Sequence, residues 1–98
     1  MAAYYIVEID IQDQAKFEEY RQKVPATITK YGGRYLVRGG RLETIEGEWR
    51  PKRIVVLEFP SMEQAKRWYD SPEYRPLKEM RRRTARGHIV LVEGVGNP

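Results

Sequence analysis

Along residues 4–11, YYIVEIDI, the side chains sort into two sets: Tyr5, Val7, Ile9 and Ile11 on one side, Tyr4, Ile6, Glu8 and Asp10 on the other. That two-residue period, with its β-branched and aromatic content, predicts a strand. The period then lengthens. Phe17, Tyr20, Val24, Ile28 and Tyr31 recur at intervals of three and four, which is one helical stripe, with Asp13 placed to cap it. Pro25 falls inside the stripe without breaking its phase, so the expectation is a kinked helix or two helical pieces. Gly32-Gly33 ends it. RYLVR, 34–38, predicts a second strand, Gly39-Gly40 a bulge or bend, and RLETIEG, 41–47, a continuation of that strand.

RIVVLEF, 53–59, predicts the third strand. Ser61 followed three residues later by Gln64 is a capping box for a helix that carries Ala65, Trp68 and Tyr69 on one face. Ser71-Pro72 stops that helix. After Pro76, LKEMRRRTARG predicts a short basic helix, and HIVLVEGV, 88–95, the last strand, followed by a frayed tail at 96–98. The order strand, helix, strand, strand, helix, strand, joined by right-handed crossovers, gives an α+β ferredoxin-like domain spanning residues 1–98, an antiparallel sheet with helices on one face.

Two helices cover one face of such a sheet. The other face holds Tyr4, Ile6, Leu36, Ile54, Val56, Ile89 and Leu91 by alternation, and each large apolar side chain left in water forfeits about 1.5–3 kcal/mol. A second copy packed sheet against sheet is the simplest cover, so a homodimer is expected. The same alternation assigns Glu8, Arg38, Glu58 and Glu93 to that face. Charges between two sheets must pair or border a wet cavity. Two readings stand: an ion-pair network that sets dimer register, or a ligand site beside Arg38.

Composition narrows the chemistry. The 98 residues contain no cysteine, one histidine and a formal net charge of +4. Disulfides, thiolate metal sites and cysteine catalysis are excluded, and the single His88 is too few for a histidine metal cluster within one chain. No stretch approaches the ~20 apolar residues of a membrane span, and the N-terminus lacks a basic leader, so no membrane partner and a cytoplasmic location are expected. The run Lys78–Arg86 is basic but has no interleaved aromatic residues. It reads as a solvated helix face rather than a nucleic-acid surface.

KYGGRYLVRGG, the EG at Glu46-Gly47 and PKRIVVLEFPSMEQAKRWYDSPEY from Pro51 to Tyr74 together resemble the family known as domain of unknown function 1330. The resemblance covers nearly the whole chain. It implies the dimeric α/β-barrel superfamily, in which ferredoxin-like sheets pair into a barrel, and whose members include small monooxygenases, lactone isomerases and haem-degrading domains. It implies no reaction. Among the positions that carry the family pattern here, Arg38, Arg53, Glu58 and Tyr74 have chemistry to offer.

Arg38 and Arg53 can grip a carboxylate or enolate through paired hydrogen bonds. Glu58 or Glu8 can serve as a general base if burial raises its pKa. The candidates are therefore Glu58 and Arg38 as catalytic residues, with Arg38, Arg53, Tyr74 and Glu8 as ligand-binding residues. The corresponding function is a cofactor-free, metal-free enzyme acting on a small organic acid by proton transfer or oxygenation; the alternative is a binding or structural dimer module. Trp68 and Tyr69 sit at core spacing, and His88 at a strand start is expected at the surface.

Overall fold

The computed structural model describes residues 1–96; Asn97 and Pro98, part of the tail expected to fray, lie outside the described residues. Seven elements follow in order: β1 (Ala3–Ile11), α1 (Gln14–Lys30), β2 (Arg34–Arg38), β3 (Ile54–Phe59), α2 (Met62–Tyr69), α3 (Arg75–Thr84) and β4 (Ala85–Glu93). The strands form one antiparallel sheet in the order β2-β3-β1-β4. This is the α+β ferredoxin-like fold that the alternation and helical periods imply.

Both N-caps form, although the Gln64 side chain donates to the Tyr31 carbonyl at 3.2 Å instead of closing the capping box. The Asp13 carboxylate accepts from the Lys16 amide at 3.1 Å, and the Ser61 hydroxyl from the Gln64 amide at 3.2 Å. Pro25 lies inside α1, which is one helix from end to end. Its stripe buries Phe17, Tyr20, Val24 and Ile28 against Tyr5, Val7 and Ile9 of β1 and Leu57 and Phe59 of β3. Trp68, 1% exposed, closes the other end of the core over Phe59, with its ring 4.1 Å from that of Tyr74.

Three expectations are corrected. The residues after Gly40 do not continue β2; residues 40–53 form an irregular arm, since they carry few partners for a ladder. The last strand starts at Ala85 rather than 88, directly on the heels of α3. Its phase is also reversed: Ile89 stands opposite Val7 and Leu91 opposite Tyr5, so both face the helices, while Val90 and Val92 face away. Glu93, opposite the buried Ala3, likewise leaves the open face, as Ile89 and Leu91 do. A run as uniformly apolar as HIVLV contains no alternation to set the phase, and pairing with β1 sets it instead.

The face away from the helices is otherwise as expected. Val56, Ile6 and Val90 form a row across its middle, joined by Leu36, Val37 and Val92, all of them large apolar groups at least 38% exposed apart from Val56. No helix among the described residues is long and apolar enough to cross a membrane.

Candidate functional site

Between α1 and the sheet, at the end where β1 and β2 finish and β3 and β4 begin, the core does not close. A cavity of about 50 Å³ remains. One water needs ~10–15 Å³ of such space, so a few non-hydrogen atoms fit before anything moves. The walls are aliphatic and aromatic, with Val7, Ile9 and Val55 as the sheet floor. The lining residues that carry polar groups are Arg21, Arg38, Arg53, Arg81, Tyr20, Tyr35, Tyr74 and Trp68, with no Asp, Glu or His.

Arg38 reaches this cavity through a β-bulge. Tyr35 pairs with Leu57, but Val37 pairs with Val56 and Arg38 with Val55, so Leu36 is an extra residue. An added residue shifts the phase of everything after it. Arg38 therefore stands on the helix-covered face with Val55, not with Glu8 and Glu58 as strict alternation gives. Its guanidinium donates to the Arg21 carbonyl at 2.7 Å and lies 4.5 Å from the centre of the Tyr35 ring.

Arg53 enters from the residue before β3, held where its carbonyl accepts from the Ile9 amide at 3.0 Å. Gly39 makes room for it. A side chain on Gly39 would begin inside the Arg53 guanidinium, with three of that group's atoms closer than 3.0 Å, and the backbone there has φ +69°. Gly39 thus serves two purposes, a left-handed turn and a seat for a cation. Nε of Arg53 is buried and has no protein acceptor. Burial, and after it the like charges of Arg21 and Arg38, push the Arg53 guanidinium below its ordinary range.

The opposite flank is built by α3 and α1. Tyr20 and Tyr74 are buried and share one hydroxyl–hydroxyl hydrogen bond of 2.9 Å. Arg81 lies beside the Tyr74 hydroxyl, and its Nε also has no protein acceptor. Burial is the main reason both phenols are raised above their usual range; they stay protonated and offer no phenolate to a metal.

The structure divides the sequence-derived candidates. Arg38, Arg53 and Tyr74 line one cavity. Glu58 and Glu8 are on the far side of the sheet. Glu58 accepts from Arg34 Nε at 2.7 Å and is lowered chiefly by that bond. Glu8 accepts from the Trp49 indole at 2.9 Å and pairs with His88 Nδ1 at 3.1 Å, and the Trp49 bond is the largest cause of its lowered pKa. Neither carboxylate has the raised pKa of a general base, and neither reaches the cavity. His88 is exposed, as expected.

Sequence reasoning missed Arg81, Tyr20 and Tyr35 as cavity residues. For Arg81 a signal was present. Leu77 and Thr84 are the buried positions of α3, and residue 81 is i+4 from the one and i−3 from the other, hence inward-facing. Among Arg81, Arg82 and Arg83 only Arg81 is sheltered from solvent.

Residues 2–95 match the family model described as domain of unknown function DUF1330. No curated protein matches the sequence. Among solved structures, RPA0582, a protein of unknown function from Rhodopseudomonas palustris, is similar with a TM-score of 0.78 at 12% identity, over 98% of this chain and 84% of that one. SnoaB, a cofactor-independent oxygenase from Streptomyces nogalater, is similar with a TM-score of 0.66 at 13% identity, over 98% and 95%. Rv0793 from Mycobacterium tuberculosis gives 0.58 at 15%, over 99% and 98%. At these identities the likeness is one of fold.

Proposed function

The chain belongs to the DUF1330 family, a membership that carries no reaction with it, and we propose that it binds a small organic acid, as carboxylate or enolate, in the cavity between α1 and the sheet. Arg38 and Arg53 are the anion-holding residues. One observation carries the reading: an apolar hollow lined, among the described residues, by four arginines and three tyrosines and by no carboxylate. Two unit charges ~4 Å apart interact by about 4 kcal/mol at the dielectric typical near a protein surface. An entering anion relieves the repulsion that Arg53 feels from Arg21 and Arg38. Glu18, an acid whose charge reaches Arg53, pairs with Arg21 on the outer surface at 3.2 Å.

The test is calorimetric titration of short carboxylic acids into the wild type, Arg38→Ala and Arg53→Met. A hydrogen bond to a charged group contributes ~1.5–3 kcal/mol, so each variant should bind about ten- to a hundredfold more weakly while melting as a folded protein. Unchanged affinity in both variants would remove the arginines from the site.

A second reading adds a reaction. The fold likeness to SnoaB, a cofactor-independent oxygenase, favours oxygenation of the bound molecule in its anionic form. Proton abstraction by a protein carboxylate has no support, because Glu8 and Glu58 face away from the cavity. Oxygen uptake by an enolisable acid, dependent on Arg53, is the corresponding measurement.

The reading includes a homodimer through the open sheet face. The apolar row Val56–Ile6–Val90 supports it, as does the apolar content of the arm, where Ile45 is 88% and Trp49 60% exposed. Sedimentation velocity should give a dimer for the wild type and a monomer for the double variant Ile6→Asp/Val90→Asp. A wild-type monomer at micromolar concentration refutes the assembly.

A further inference from the structure

The cavity has two polar flanks, and only one is occupied by the proposal above. Arg38 and Arg53 belong to β2 and the start of β3. Arg81 belongs to α3, which runs straight into β4. In the order β2-β3-β1-β4 the first two stand at the β2–β3 side of the cavity, whereas Arg81 comes from a helix packed on α1, with Val7 and Ile9 of β1 also lining the cavity.

Hydrogen-bond supply and demand on the Arg81 flank do not balance within the protein. Tyr20 and Tyr74 own two hydroxyl protons and share one bond between them, at 2.9 Å. Arg81, their neighbour, has no acceptor to give, since guanidinium only donates. Among the described residues no carbonyl or carboxylate takes the second phenolic proton, and Arg81 Nε likewise has no acceptor. If Arg81 and Tyr74 both donate along the chain Arg81→Tyr74→Tyr20, the proton left over is that of Tyr20, whose ring lines the cavity. Buried donors without acceptors are uncommon and costly. A flank left with surplus donors is complementary to an oxygen that only accepts.

Resting on the carboxylate reading above, the geometry points to a ligand with acceptor oxygens at both ends: an oxo-carboxylic acid whose carboxylate meets Arg38 and Arg53 and whose keto oxygen accepts from Tyr20 and Arg81, across an apolar middle. Arg81 and Tyr20 are then specificity-determining residues. They distinguish an oxo acid from the plain alkanoate of equal length, because the alkanoate leaves both donors unpaired. Sites built to hydrogen-bond an oxygen discriminate far more strongly against its loss than apolar sites do against an extra methylene.

The experiment titrates the whole protein with the short oxo acids pyruvate, acetoacetate and levulinate, in keeping with the small cavity, each against the unsubstituted acid of the same chain length. At the chain length that spans the cavity, the oxo acid should bind about tenfold or more tightly than its partner. In Arg81→Met the preference should vanish. Tyr20→Phe, which removes only the hydroxyl and keeps the ring, should do the same, and it keeps the test decisive if Arg81→Met does not fold. If alkanoates bind in an Arg38-dependent way and no oxo acid of any length is preferred, the two-ended ligand is wrong and the carboxylate site stands. A preference that survives both substitutions overturns the assignment to Arg81 and Tyr20. Failure of every acid to bind overturns the carboxylate site and this inference together.

Discussion

Gly39→Ala separates the two purposes of a single glycine. Its φ of +69° costs an L-residue roughly 1–2 kcal/mol. For a domain of this size each kcal/mol moves the midpoint by about 4–8 °C, so the variant should melt roughly 5–15 °C below wild type. The overlap with Arg53 adds little to that loss. The atoms struck are the far end of a flexible side chain, which swings away instead of forcing the backbone to move. The effect of the overlap should therefore show in binding: with Arg53 evicted, affinity for a short carboxylate such as pentanoate should fall about tenfold or more. Gly40→Ala is the control, having open space around it and no positive φ, and should stay within about 0.5 kcal/mol of wild type. The two purposes separate in the double variant with Arg53→Met, where Gly39→Ala should still lower the melting point but cost no further affinity. Calorimetric melts and titrations read both quantities. If Gly39→Ala and Gly40→Ala melt together, or if Gly39→Ala binds pentanoate as the wild type does, the account of this turn is wrong.

Two predictions concern the rest of the molecule. Glu73, which pairs with Lys30 and accepts from Tyr31 at 2.8 Å, is drawn from the usual 4.5 down to about 2, first by the Lys30 bond. A lowered folded-state pKa stabilises above the unfolded value and is lost as pH falls through the folded one. The difference in urea midpoint between wild type and Glu73→Gln should thus be constant above about pH 5 and close as pH approaches about 2; a gap that widens on acidification contradicts the pairing. Trp68 is 1% exposed and donates its indole N–H to Thr27 Oγ1 at 2.9 Å. Trp68→Ala should cost about 3–5 kcal/mol in urea denaturation, a large share of a small domain's stability, while Thr27→Val should cost about 1–3 kcal/mol by leaving the buried N–H unpaired.

Local rules carried much of the site as well as the fold. The glycine-flanked RYLVRGG segment marked Arg38 and the turn after it, and the family pattern marked Arg53 and Tyr74; all three line the cavity. Glu58 and Glu8 were joined to them by counting alternate positions from Arg38. That count fails at Leu36, where the bulge inserts a residue. A bulge is decided by which β3 residues β2 pairs with, and nothing inside RYLVR encodes it. Arg81 escaped for a different reason. In a run of three arginines the average character is that of a solvated surface, and only the positions of Leu77 and Thr84 turn one of the three inward.

By itself, then, the chain's pattern of side chains determined the elements, the sheet, the helix-covered core and an apolar underside, because each depends on periods of two and 3.6 residues that are written locally. Which face each charge occupies was decided only by tertiary pairing: the bulge that returns Arg38 to the helices, the register that turns Ile89 and Leu91 inward, and the packing of α3 that brings Arg81 to Tyr74. A shift of one residue in a strand exchanges its two faces. The side-chain period constrains a strand's shape, but its register is settled by its neighbours, and the chemistry of this cavity follows from register.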